Sequence, residues 1–140
     1  MDQAFWAKMH GAAVHFPIAL TLCSGALDAS GCFWPDAATR RGLHAAGYWT
    51  MLIGAAGTVP AVVSGLFMTK GVMLGHDALR LHHLFAWPAF ALILGIAAWR
   101  VLAKDFATRR AALGYLGAVG LAAILVMAAG YWGGEMLLAR

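Results

Sequence analysis

The chain has 140 residues, 62% of them hydrophobic and only 11% charged, with a formal charge of +4. Soluble domains run nearer about 45–50% apolar and about 25% charged. The composition therefore excludes an ordinary soluble domain and indicates an integral membrane protein, of a length suited to one domain of a few helices. The basic residues stand in short loops beside apolar spans, which marks membrane topology rather than a nucleic-acid footprint.

A bilayer-spanning helix needs roughly 20 mostly apolar residues, and four stretches qualify: 5–29, 44–69, 79–102 and 111–138. The first has a weak basic lead and too long an apolar run for a cleaved signal, so it reads as a retained helix. It ends in SGCFWPDAATRRG, the second in KGVMLGHDALR and the third in AKDFATRR. Short loops predict antiparallel neighbours, hence an all-α, four-helix up-down membrane bundle. Small-residue runs such as GAAGTVPAVVSG and AAGYWGG suit close helix packing in lipid. Cys23 and Cys32 form neither CxxC nor CxxCH. They read as small packing residues, with no thioredoxin-like site and no covalent haem attachment.

Six Lys and Arg flank the 1–2 and 3–4 loops (Arg40, Arg41, Arg100, Lys104, Arg109, Arg110), against four on the other side (Lys8, Lys70, Arg80, Arg140). The positive-inside rule places both termini outside, which in a bacterial inner membrane means the periplasm.

Five of the six histidines fall at one end of such a bundle. His10 and His15 lie in helix 1, His76 in the 2–3 loop, and His82 and His83 at the start of helix 3, while His44 stands at the opposite surface. Asp77 and Glu135 join the larger group. Ionisable residues inside a membrane are costly and mark function. A histidine from each of two facing helices is what bis-histidine haem ligation requires, and the same residue type suits copper, zinc or non-haem iron. His10 and His15 differ by about 140° around a helix, His82 and His83 by about 100°, so one of each pair can meet across the bundle and sequence leaves the pairing open. His10 continues into a stripe of Thr21, Ser24 and Asp28 that should face inward. Asp28 itself reads as reaching water or Arg40. Pro17, Pro60 and Pro88 interrupt three spans at a similar depth and would widen the histidine half of the bundle. Trp87, Phe85 and Phe90 follow the helix 3 histidines and read first as packing residues, with a pocket wall as the second use.

HGAAVHFPIALTLCSGALD, LRLHHLFAWPAFALILGIAAWR and AAGYWGGEML together resemble a bacterial family of small four-helix membrane domains of unknown function. That family is marked by an H…VHFPIAL first helix, a histidine opening helix 3 and a Gly-Gly followed by an acidic residue in helix 4. The resemblance spans nearly the whole chain. It implies a haem-binding or redox-associated subunit, with His10, His15, Pro17, one of His82 and His83, Gly133, Gly134 and Glu135 at the marked positions.

The resulting expectation is a b-type cytochrome-like electron-transfer subunit of a respiratory or redox complex. Haem b would be held non-covalently between helices 1 and 3, by His10 or His15 and by His82 or His83. Its partners would be a cytochrome c or a periplasmic oxidoreductase, with quinone as a further candidate. Catalysis by the chain alone is not expected, because no nucleophile–base set is recognisable. The alternatives are copper or iron handling through His10, His15, His82, His83 and Glu135, and a non-redox anchor or assembly subunit.

Overall fold

In the computed structural model, residues 2–103, 106 and 108–138 are described. Four helices follow one another: α1 (Gln3–Phe33), α2 (Ala37–Met68), α3 (Asp77–Ala103) and α4 (Arg109–Leu138). All four are long and apolar enough to cross a membrane. They span 27 to 32 residues, or about 40–48 Å at 1.5 Å per residue. Each therefore exceeds the roughly 30 Å hydrocarbon core and projects beyond it.

Two helix ends differ from the sequence expectation by more than two residues. α1 runs to Phe33 rather than 29, and α2 begins at Ala37 rather than 44. The cause is local: Asp36 accepts a 2.7 Å hydrogen bond from the Thr39 N–H, satisfying a donor that an uncapped helix start would leave free. The polar ATRRG segment, read as loop, is thus the first turns of α2. At the other end of α2 the chain reverses through Lys70 and Gly71, both at positive φ (55° and 80°), and the Gly71 N–H returns to the Leu66 carbonyl at 2.8 Å. Such a left-handed exit is what ends many helices.

The bundle is two hairpins. α1 packs most extensively on α2 and α3 on α4, while α1–α4 and α2–α3 meet more lightly. The apolar core, built around Met51, Ala55, Ile93, Ile96, Tyr115 and Val119, lies between them. Large apolar side chains such as Phe16, Leu22, Ile53, Leu121 and Ile124 stay exposed. That outward surface suits lipid, where helices satisfy all backbone bonds internally. The prolines sit inside α1, α2 and α3 without ending them.

Candidate functional site

At one pole of the bundle, His10 of α1 and His82 of α3 occupy matching positions. His10 Nδ1 lies 2.8 Å from the Ala61 carbonyl of α2, and His82 Nδ1 lies 2.8 Å from the Ala129 carbonyl of α4. A carbonyl only accepts, so Nδ1 carries the proton in each ring. In the neutral imidazole this leaves the Nε2 lone pair unassigned, the arrangement in which a backbone carbonyl orients a ligating histidine.

The setting repeats in both hairpins. Four residues after each accepting carbonyl stands a glycine beside the ring. A Cβ on Gly65 would lie 3.0 Å from His10 Cε1, and one on Gly133 would lie 3.4 Å from His82 Nδ1. The two rings face each other with centroids 6.3 Å apart and planes at 81°. They border a cavity of about 450 Å³ reached by all four helices, with Val14 and Pro17 from α1, Thr58 from α2, Phe90 from α3 and Val126 from α4 among its lining. Of the three prolines Pro17 lines this space, while Pro60 and Pro88 are exposed. Trp87 and Phe90 do wall the cavity. Trp87 also donates its indole N–H to the Met73 carbonyl at 2.8 Å, pinning the α2–α3 loop.

The remaining histidines take other places. His15 borders the cavity but is exposed, and its ring bonds the Gly11 carbonyl of its own helix. His83 also lines the cavity, 5.6 Å from His82 between ring centroids, and is buried against Trp87 at 6.1 Å. Its Nδ1 has no hydrogen-bond partner among the described residues. His76 is exposed in the loop, and Glu135 is half-buried outside the cavity lining. Among the described residues no three or more His, Cys, Asp or Glu side chains converge as a metal-holding group.

The opposite pole holds a cluster that sequence reasoning missed. Asp28 is fully buried, not reaching water or Arg40 as expected. Its Oδ1 accepts from His44 Nδ1 at 2.8 Å and from Arg100 Nη2 at 3.2 Å. The same Arg100 nitrogen also donates to the His44 carbonyl at 2.9 Å. The guanidinium is stacked near Phe106 and Tyr115, 4.5 and 5.1 Å from their centroids. One turn back from Asp28, Ser24 donates to the Gly47 carbonyl at 2.7 Å and shares a 3.0 Å bond with the Tyr115 hydroxyl. Asp28, His44, Arg100 and Tyr115 thus join all four helices. The inward stripe of Thr21, Ser24 and Asp28 is buried as its spacing required. The available signal was that Asp28 and Arg100 close α1 and α3, two helices running the same way, and so fall at one level.

The whole arrangement, from the first histidine to the last cavity-lining residue, lies within residues 7–139, which match the family described as "Predicted membrane protein (DUF2231)". The chain belongs to that family. Both poles of this DUF2231 domain are therefore inside the shared region, and the family description gives membrane residence without a reaction. No curated protein and no solved structure matches the chain.

Proposed function

We propose that this DUF2231 protein is a membrane-embedded electron-transfer subunit that would hold a b-type haem between its hairpins, with His10 and His82 as the residues that would hold its iron. The reading is carried by the two rings, each anchored through Nδ1 to a backbone carbonyl and set 6.3 Å apart beside a cavity that all four helices line. Neutral imidazole nitrogens bind metals at about 2.0 Å, and the 6.3 Å spacing leaves room for one iron between His10 and His82. The donor set, two neutral nitrogens and no carboxylate, suits haem iron. The reading takes His10 over His15 and His82 over His83, because His15 bonds back along its own helix and His83, though it lines the same cavity, has no carbonyl on its Nδ1 to orient the ring.

When bound, the haem would take up and release one electron. The chain's own residues have three tasks. The Ala61 and Ala129 carbonyls fix the tautomer and raise the basicity of the rings. Gly65 leaves room for the His10 ring against α2, where a Cβ would lie 3.0 Å from Cε1; at Gly133 a Cβ would only touch the His82 ring. Val14, Ile18, Phe90 and Ile93 keep the space apolar. In this reading the protein resides in a bacterial inner membrane with both termini on the periplasmic side, and exchanges electrons with a cytochrome c or a periplasmic oxidoreductase, or with membrane quinone.

The test is the reduced-minus-oxidised spectrum of the full chain expressed with ample haem. A b-type α band is expected, lost in His10→Ala and His82→Ala and kept in His15→Ala. A chain that purifies folded with copper or iron and no α band overturns the haem assignment, as does a band unchanged in His82→Ala.

A further inference from the structure

Beside the charged pole lies a second hollow, of about 720 Å³, lined by Arg40, Arg41, His44, Tyr48, Trp49 and Phe106 together with Ala45. Arg41, His44 and Tyr48 follow at i, i+3 and i+7, so one face of the first turns of α2 supplies most of it. Arg40 and Arg41 are exposed, and Trp49 keeps 61% of its surface.

The hollow is basic. Among the described residues its lining includes no carboxylate. Among the described residues the carboxylates behind and beside it are engaged: Asp28 by His44 and Arg100, Asp36 by the Thr39 N–H. Arg100 adds a third guanidinium behind the wall, over the Phe106 ring at 4.5 Å and the Tyr48 ring at 5.8 Å. α2 has 32 residues and is longer than the hydrocarbon core by about 18 Å. Its first turns therefore stand at the level of the lipid headgroups, where Trp and Tyr settle and where basic side chains meet anionic lipid.

We propose that this hollow seats the phosphate headgroup of an anionic phospholipid. Arg40 and Arg41 contact the phosphate, since guanidinium forks match phosphate oxygens. Tyr48 and Trp49 border the glycerol region, and the acyl chains descend past the exposed Ile53, one turn further along α2. The site is independent of the haem reading, because it lies at the other pole and shares no lining residue with the histidine cavity.

The test is native mass spectrometry of the full chain in neutral micelles carrying phosphatidylglycerol or phosphatidylcholine of the same acyl chains. Phosphatidylglycerol is expected to remain bound where phosphatidylcholine does not. The double variant Arg40→Ala/Arg41→Ala should weaken retention by about ten-fold or more. Arg109→Ala/Arg110→Ala removes the same charge from the start of α4, outside the hollow, and should change it little. Equal loss in the two double variants would reduce the effect to diffuse surface charge and overturn the site. Equal retention of the two lipids overturns it as well, and displacement of the lipid by inorganic phosphate would make it a free-anion site instead.

Discussion

The two poles of the bundle treat buried polar groups in opposite ways. At one, Asp28, His44, Arg100, Tyr115 and Ser24 bond one another and the backbone, and the helices close around them even though Asp28 Oδ2 and Arg100 Nε and Nη1 have no partner among the described residues. At the other, His10 and His82 each use one nitrogen on a carbonyl and border open space with the rest of the ring. A membrane protein keeps buried polar side chains either to fix its own packing or to meet something else. The charged pole does the first; the haem reading proposed above assigns the second to the histidine pole. The difference is visible in what the bonds connect: Asp28 ties one hairpin to the other, whereas both histidine bonds stay within a hairpin.

That contrast can be broken most forcefully at Asp28. Asp28→Leu leaves the Arg100 guanidinium buried without its counter-charge, and should destabilise the bundle by about 3–5 kcal/mol, read from unfolding in detergent. Asp28→Leu/Arg100→Met removes both charges and should recover much of the loss. No recovery would mean that the cluster is not a coupled pair. A glycine comparison comes next in size. A Cβ at position 47 would lie 2.7 Å from Asp28 Oδ2, so Gly47→Ala should cost about 1–3 kcal/mol. Gly65→Ala presses only on the His10 ring beside a cavity into which it can turn, and should cost less than Gly47→Ala in the same unfolding measurement.

Tyr115→Phe removes the hydroxyl that bonds Ser24 and should lower stability by about 1 kcal/mol, measurable as a reduced unfolding midpoint with the histidine cavity unaffected. The smallest effect belongs to Asp36, outside both poles. The Thr39 N–H donated to its carboxylate holds that carboxyl below the usual range. A depressed folded-state pKa gives stability that is present above the unfolded value and lost as pH falls through the folded one. Asp36→Ala should therefore lie slightly below the parent protein at neutral pH and converge with it in acid. Constant separation across that range would assign the cap's effect to something other than charge.

Fold class was readable because lipid imposes one solution on long apolar runs, and four such runs with short connections leave little choice. The histidine pole was readable as a region for a related reason: up-down topology sends residues near 10, near 82 and near the end of helix 4 to the same end. The choice among those histidines was not readable. His10 and His15 differ by azimuth, and azimuth becomes a direction only when the neighbouring helix is placed; Ala61 and Gly65 supply that for His10. The charged pole was hidden because Arg100 and Asp28 sit near span ends, where long side chains ordinarily reach water. Packing turned both inward; for Asp28 the stripe with Thr21 and Ser24 carried that signal, whereas nothing in α3 carried it for Arg100. The early start of α2 was obscured by arginines in its first turns, which read as loop although Asp36 is an ordinary N-cap.

Because each histidine is braced inside its own hairpin, each hairpin carries a finished half-socket. Whatever bridges the two rings acts as a rivet across the lightest seam of the molecule. Its binding free energy is then also cohesion between the halves, growing with occupant concentration as any ligand of the folded state requires. If the two rings hold the haem proposed above, the resistance of this bundle to being pulled apart at the histidine end would report how fully that socket is filled.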